Sequence, residues 1–311
     1  MSVSPVREEA ARVVLVAVAL GVAAVAMLAG PALPDGLWWP LRGQRVLAAA
    51  GVGALLALSG LAMQVVLRNP LADPYVLGTS GGASVGALSA LLLGLSLWWG
   101  AGLGALASAA VLLLLARPAL VAVDEASSRL ILVGAMLAAL CGAASTLLLT
   151  LTPDAQLRGA VFWLVGDLSG ADDRGLCLGL AVLLAMLLAM RSRSVDRLML
   201  GSEAAAVLGE PVRALRAALL VAGALAAACA VAVAGAIGFV GLVVPHALRL
   251  AGVERTRDQA WMAPLGGAAL LMAADWIARS VAPPLELPVG AVMALVGAPV
   301  FIGFLIHEGR R

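Results

Sequence analysis

Residues 46–67 read VLAAAGVGALLALSGLAMQVVL, and residues 68–74 continue with RNPLADP. The first stretch carries no charge and would form a helix about 33 Å long, enough to cross the ~30 Å hydrocarbon core of a bilayer. Pro70 and Pro74 then stop the helix, because proline lacks an N–H and clashes with the preceding turn. This part of the chain therefore predicts one membrane-spanning helix that ends in a rigid connection.

The composition of the whole chain extends this prediction. Of 311 residues, 63% are hydrophobic and only 12% are charged, and the mean hydropathy is +1.06. Globular domains contain about 25% charged residues, so this composition excludes a fold with a water-exposed surface all round. Roughly 196 apolar side chains correspond to about ten crossings at ~20 residues each. We expect an all-α polytopic membrane protein with about ten transmembrane helices.

Uncharged runs bounded by charges locate these crossings, because a charge at mid-bilayer costs several kcal/mol. The run 74–116 is long enough for two crossings, with a turn expected at Trp98–Gly100, and glycines divide 217–248 into two. The predicted spans are 13–34, 46–67, two within 74–116, 130–151, 175–190, two within 217–248, 263–282 and 287–306, with an irregular segment at 153–170.

The arginines orient the chain in the membrane. All twenty basic residues are arginine, and a cytoplasmic N-terminus places fifteen of them inside and five near the outer face. The positive-inside rule therefore predicts an even number of spans with both termini in the cytoplasm. The net charge of +2 gives no reason to propose nucleic-acid binding. The outer five are Arg42, Arg45, Arg158, Arg174 and Arg279.

Residues that could support metal or redox chemistry are few and scattered. An odd number of cysteines at wide spacing indicates neither a disulfide framework nor a zinc site. We predict no metal site, no catalytic residue and no cofactor bound by this chain. The residues concerned are Cys141, Cys177, Cys229, His246 and His307.

Three segments are too polar or too broken to be simple spans. Residues 78–86 are nearly all small, which favours close helix packing. A phosphate-binding loop is the other interpretation of such a glycine-rich stretch, but it would need a lysine, which the chain lacks. Gly238–His246 suggests tight packing and a bend, with His246 either a relay residue or a structural one. Asp275 and Arg279 lie four apart on one helix face and can pair, as a structural ion pair or a functional one.

The longest polar stretch is 191–216, between the sixth and seventh spans. Gly201 and Ser202 predict the start of a short helix near Glu203, and Gly209–Pro211 predicts its end and the start of another. Short helices at the membrane surface favour a docking element over an ordinary loop.

Taken in order, these motifs resemble the permease subunit of the ATP-driven importers for iron-siderophores, haem and vitamin B12, the FecCD type. The matching stretches are Arg68–Pro74 with Leu77–Gly78, Gly238–His246, Asp275 with Arg279, Leu287–Gly290 and Gly297–Phe301. Within them the residues assigned to helix packing and structure are Asn69, Pro70, Asp73, Pro74, Gly78, Gly238, Gly241, Pro245, His246 and Asp275.

The resemblance implies a single permease domain over 1–311 in a bacterial inner membrane. It implies a homodimer with the pathway on its two-fold axis, two ATP-binding subunits inside and a periplasmic substrate-binding protein outside. The chain has no Gly-Lys-Ser/Thr motif, so ATP and Mg²⁺ would be bound by the partner ATPase. The coupling segment would be about 195–213, with Glu203, Leu208, Gly209, Glu210 and Pro211 contacting that ATPase.

On the outer face the resemblance assigns Arg42, Arg45 and Arg279 to docking of acidic residues on the binding protein. The family usually has Arg-x-Pro-Arg where this chain has Arg42-Gly43-Gln44-Arg45. Ser127 and Ser128 are expected near a cytoplasmic gate, or they cap the fifth helix.

The substrate expected from the resemblance is haem or a ferric siderophore, with vitamin B12 as the alternative. The 4% aromatic content shows no evident stacking cage for either. An ion-coupled secondary transporter is the other function considered, with Asp275 as its candidate coupling carboxylate.

Overall fold

The computed structural model describes residues 5–29, 39–115, 126–171 and 175–308. Within these ranges every regular element is a helix, as predicted. The α-helices are α1 Pro5–Leu28, α2 Gln44–Leu67, α3 Thr79–Leu92, α4 Leu97–Leu115, α5 Ala126–Thr150, α6 Asp154–Val165, α7 Leu176–Met190, α8 Ser192–Met199, α9 Ser202–Val207, α10 Val212–Ala234, α11 Val240–Leu250, α12 Thr256–Ser280 and α13 Val289–Glu308.

Each predicted span overlaps one of these helices, and residues 30–34 of the first predicted span lie outside the described residues. In the described ranges, five helices are individually long and apolar enough to cross a membrane, and the bent pair of α7 and α8 would make a sixth. The shorter apolar helices belong to α1, α11 and α13, while α3 has 14 residues. The polytopic helical class is confirmed, and ten crossings with cytoplasmic termini stay predictions.

Two local expectations differ from the structure. The turn between α3 and α4 lies at 93–96, where Gly94 has a positive φ of 69°, so the tryptophans belong to the first turn of α4. The segment predicted to be irregular contains α6, which follows Pro153. A proline just before a helix fits there because the first N–H groups need no partner within the helix.

The core is built around α2, which is buried along almost its whole length. Helices α7, α10, α11 and α12 all pack against it. Two glycines permit the closest approaches, because a Cβ on Gly60 would overlap the backbone of Gly241 in α11 and one on Gly53 would overlap Gly267 in α12. The span that opens the sequence is therefore the centre of the protein.

A second packing unit joins α3 to α4. Gly82 and Gly86 face Gly100 and Gly104 so closely that added Cβ atoms would overlap backbone atoms. The hydroxyl of Ser108 donates to the carbonyl oxygen of Gly78, with 2.8 Å between the oxygens. The small residues at 78–86 thus pack helices together.

Candidate functional site

A charged cluster lies where the start of α2 meets the end of α12. The Nε atom of Arg45 is 2.6 Å from Oδ1 of Asp275, and Nη1 of Arg45 is 2.7 Å from Oε2 of Glu286. The Nε atom of Arg279 is 3.3 Å from Oδ2 of Asp275. The side chain of Asp275 is only 1% exposed, so its charge is balanced by two guanidinium groups instead of water.

The sequence prediction that Asp275 pairs with Arg279 is confirmed. The contribution of Arg45 was not foreseen, because that residue lies 230 positions away. A usable signal existed, since Arg45 precedes one predicted span and Asp275 lies late in another that runs the opposite way. Both residues therefore fall near the same membrane face.

Two further hydrogen bonds, one from Arg279 and one from Arg42, join this cluster to the end of α1. Arg279 donates from Nη2 to the carbonyl oxygen of Ala26, and Arg42 donates from Nη1 to that of Met27 at 3.3 Å. The last carbonyl groups of a helix lack partners within it, so guanidinium groups at this end satisfy them. The three arginines predicted for docking are thus neighbours, and each is less than one tenth exposed in this chain.

A different surface is formed by the polar segment after α7. The predicted short helix near Glu203 is confirmed as α9, which begins at Ser202. The prediction of a second short helix after Pro211 is wrong, because the helix that begins there, α10, continues for 23 residues into an apolar span. Large apolar side chains are exposed around the turn between α9 and α10, with Val207 at 88% and Leu208 at 53%. Glu203 and Gly209 are also exposed. We call this surface, residues 199–211, the turn surface.

Glu210 holds the turn surface in place. Its Oε1 atom accepts a hydrogen bond from Nη1 of Arg197 at 2.6 Å, which joins the end of the turn to α8. Hydrogen bonds from Ser194 and Arg197 lower the pKa of Glu210 below its usual value. The carboxylate is therefore ionised at neutral pH.

The connection from α2 to α3 is a rigid polar turn. Asn69 accepts from the N–H of Leu71 at 2.9 Å, and Asp73 accepts from the N–H of Tyr75 at 2.8 Å. A short 3₁₀ helix, Pro74–Leu77, follows, and Gly78 ends it with a positive φ of 76°. The prolines and side-chain caps together fix the path predicted from RNPLADP.

Burial gives this turn unusual protonation properties. It raises the pKa of Asp73 to about 6, against the effect of the hydrogen bond from Tyr75. Burial also raises the pKa of Tyr75, which keeps its phenol neutral. The Tyr75 hydroxyl accepts from the N–H of Ile237 at 3.1 Å and so links the turn to the segment before α11.

The motif from Gly238 to His246 forms the entry to α11. Gly241 contacts α2, and Pro245 and His246 are buried inside the helix. The ring of His246 lies 5.6 Å from that of Phe301 and 5.7 Å from that of Phe304, both in α13. A Cβ on Gly238 would meet nothing within 4 Å, so packing does not explain that glycine.

An open cavity of about 1030 Å³ lies between the α3–α4 turn, α6 and α10. Its walls combine three indole rings with polar groups, although the sequence showed no aromatic cage. The rings come from distant positions that only the fold brings together. The lining residues used below are Trp98, Trp99, Trp163, Gln156, Asp167 and Ser169.

The remaining predicted residues lie in α5, in α6 and just before α7. Ser127 and Ser128 lie in the first turn of α5, and their side chains are outside the described part of the structure. Arg174 is also outside the described residues. Arg158 stacks over Phe162, with 5.6 Å between the guanidinium carbon and the ring centre.

Apolar helices packed around one buried helix, with the charges paired near their ends, define a polytopic helical membrane protein. The model of the FecCD transport family matches residues 10–307. The chain belongs to this family.

Two curated relatives match 68% of this chain over 217 residues. The hemin transport system permease protein HmuU of Yersinia pestis is 38% identical, and the match covers 63% of its length. The vitamin B12 import system permease protein BtuC of Escherichia coli (strain K12 / DH10B) is 41% identical, with 65% of its length covered. The similarity thus spans less than two thirds of either relative.

Solved structures share the fold over a larger part of the chain. An inward-facing metal-chelate type ABC transporter has a TM-score of 0.84 and 28% identity, covering 94% of this chain and 97% of its own. PsaBC from Streptococcus pneumoniae, solved with a Fab, has a TM-score of 0.61 and 16% identity over 87% and 93% of the two chains, which shows similarity of fold alone.

Proposed function

We propose that this chain is the permease subunit of an ATP-driven, binding-protein-dependent importer of an iron chelate, either haem or a ferric siderophore. The observation that carries the proposal is the structural similarity to a metal-chelate type ABC transporter over 94% of the chain. Membership of the FecCD transport family supports it. Vitamin B12 is the alternative substrate, because a B12 permease is as similar in sequence as a haem permease.

The permease acts as a transport subunit and leaves ATP hydrolysis to a partner chain. The sequence contains no lysine and so no Gly-Lys-Ser/Thr loop for holding nucleotide phosphates. The turn surface provides the contact, because Val207 and Leu208 expose apolar area next to the charged Glu203. Exposed apolar area rimmed by polar groups is typical of a protein interface. Leu208, Gly209, Glu210 and Pro211 form its centre.

The proposed outer partner is a periplasmic binding protein that docks through acidic residues. Arg42, Arg45 and Arg279 supply the positive charge, and Glu286 is the exposed carboxylate of the same cluster, at 46%. A carboxylate of the binding protein would replace Glu286 as the partner of Arg45, and the buried contact between Arg45 and Asp275 would stay intact. Such exchange suits repeated docking, since electrostatic complementarity sets orientation and on-rate more than affinity.

The tryptophan-lined cavity supports a large, flat substrate. Indole rings offer apolar faces for a planar macrocycle, while Gln156, Asp167 and Ser169 add polar contacts. The cavity adjoins the α3–α4 turn, which the arginine distribution assigns to the outer side. Substrate would meet this surface after release from the binding protein.

We further propose a single domain, 1–311, that forms a homodimer in a bacterial inner membrane and moves substrate along the dimer axis by alternating access. Helix α5 supports an additional partner, because almost none of its apolar surface is buried in the single chain. Ser127 and Ser128, at the cytoplasmic start of α5, would line the gate.

Reconstitution tests the function directly. The permease and its ATPase are placed in proteoliposomes, with the binding protein and the substrate on the outer face of the permease and ATP on the ATPase face. Haem, a ferric siderophore and cobalamin are tested separately. One of the three should be transported, and only when ATP is present. Uptake driven by a proton or sodium gradient, with no ATPase activity in the purified complex, would favour a secondary transporter. Asp275 would then be the first carboxylate to test.

A charge exchange tests the docking proposal. Arg42→Glu should weaken binding-protein association and uptake, and an acid-to-arginine change on the binding protein should restore both. Arg45→Glu is unsuitable alone, because it would place a second buried carboxylate beside Asp275. Normal docking by the Arg42→Glu variant would show that the arginine cluster is structural only.

A further inference from the structure

A groove of about 540 Å³ lies between α1 and the start of α12, away from the surfaces described above. Charged groups line the cytoplasmic end of the groove, and apolar groups line the end nearer the membrane interior. The lining residues are Arg12, Val16, Arg255, Arg257, Asp258, Trp261, Met262 and Leu265. The arginine distribution assigns this end of both helices to the cytoplasmic membrane boundary.

The charged wall of the groove has an excess of positive charge. Arg12 pairs with Asp258, which neutralises both groups. Arg255 and Arg257 are exposed, and neither pairs with a carboxylate among the residues that the structure describes. The lining of the groove therefore contains two more guanidinium groups than carboxylates, and we call its charged end the rim. A planar guanidinium offers paired donors that match the oxygens of a phosphate.

The apolar wall continues from this rim toward the membrane. Trp261 is 45% exposed and Leu265, one turn further along α12, is 36% exposed. Val16 of α1 faces them and is 41% exposed. Tryptophan favours the boundary between headgroups and hydrocarbon, so its position marks the depth at which a lipid headgroup would end.

We propose that this groove binds an anionic phospholipid. Arg255 and Arg257 hold the phosphodiester of the headgroup, Trp261 covers the glycerol backbone, and Val16 and Leu265 contact an acyl chain. A free phosphate ion would use only the charged rim, whereas the continuous apolar wall fits a molecule with a hydrocarbon tail. Basic pockets beside transmembrane helices on the cytoplasmic side commonly bind anionic headgroups.

Native mass spectrometry of the full chain, released from detergent after addition of phosphatidylglycerol or phosphatidylethanolamine, tests this proposal. Phosphatidylglycerol should remain bound preferentially. The double variant Arg255→Gln/Arg257→Gln should bind it about 25-fold more weakly, about fivefold for each guanidinium. The matched control is Arg193→Gln/Arg213→Gln, which removes two exposed arginines outside the groove and should bind as the original does.

The possible outcomes separate clearly. Equal retention of the two lipids, or equal binding by the groove variant and the control, would overturn the proposal. Displacement of phosphatidylglycerol by millimolar inorganic phosphate would also overturn it, because the rim alone would then explain binding. As a second measurement, phosphatidylglycerol with brominated acyl chains should quench fluorescence less in Trp261→Phe than in the unchanged chain.

Discussion

Arg45 and Asp275 form a buried ion pair that joins the first core helix to the last part of the chain, with 2.6 Å between Nε and Oδ1. Arg279 also contacts Asp275, so one carboxylate lies between two guanidinium groups. Glu286 supplies the second negative charge from the exposed side. The cluster is therefore a fixed inner pair with an exchangeable outer partner.

Removing the inner carboxylate should be strongly destabilising. Asp275→Asn leaves Arg45 and Arg279 without their shared charge in a buried site, which costs about 3–5 kcal/mol. Thermal unfolding of the purified chain in detergent measures this loss. Glu286→Gln is the control and should cost about 1 kcal/mol or less, because Glu286 is 46% exposed. Equal losses in the two variants would contradict a buried inner pair.

The approach of α2 to α11 should not tolerate a side chain. Gly60→Ala places a methyl group against the backbone of Gly241, and relieving the overlap should cost about 1–3 kcal/mol. Gly179→Ala in α7 is the matched control, since nothing lies within 4 Å of its added Cβ. That control should be neutral or up to about 1 kcal/mol stabilising, because alanine favours a helix over glycine. Chemical unfolding in detergent compares the two.

Asp73 should make stability depend on pH. Its pKa is raised from 3.8 to about 6, so the folded state binds the proton more tightly than the unfolded state. The contribution of Asp73 to the free energy of unfolding is fully present below about pH 4 and is lost as the pH rises through about 6. The loss is at most about 3 kcal/mol, since each pKa unit corresponds to about 1.4 kcal/mol.

The variant Asp73→Asn isolates this effect, because its amide oxygen still accepts from Tyr75. The difference in melting temperature between the variant and the unchanged chain should favour the variant at pH 7.5 and shrink at pH 5. A difference that does not change between these two pH values would show that Asp73 keeps its ordinary pKa.

The turn surface should be required for ATPase association but not for folding. Val207→Asp/Leu208→Asp charges two exposed side chains and should abolish co-purification with the ATPase and ATP-dependent uptake. The melting temperature should stay within about 2 °C, since surface changes usually alter stability by less than 0.5 kcal/mol. Leu95→Asp, at a 61% exposed site in the α3–α4 turn, is the control that should keep the ATPase.

The order of helices could be predicted from the sequence because the bilayer imposes one simple rule. Uncharged runs such as 46–67 must be helical to satisfy their backbone hydrogen bonds in hydrocarbon. Charges and prolines mark their ends, so α2 was predicted within two residues of its observed start. Where no charge interrupts the run, as between α3 and α4, the turn was placed several residues too late.

The candidate site depended more on tertiary contacts. Asp275 and Arg279 share a helix face, so local geometry was enough to predict their pairing. The role of Arg45 required knowing which helices are neighbours. The contact between Cys177 and Cys229 likewise could not be predicted without knowing that α7 and α10 are neighbours, because 52 positions separate the two residues whose sulfur atoms lie 3.8 Å apart.

The sequence by itself determined the helical membrane class and the segments that end the predicted spans, because hydropathy and charge act locally along the chain. It also determined the family, because the motifs from Arg68–Pro74 to Gly297–Phe301 occur in the family's order. Only the tertiary structure decided that α2 is the central helix, that Arg45 completes a buried ion pair, and that three tryptophans line one cavity. The central position of α2 depends on the close approach of backbones at Gly60 and Gly53, and hydropathy does not specify which helix fills that space.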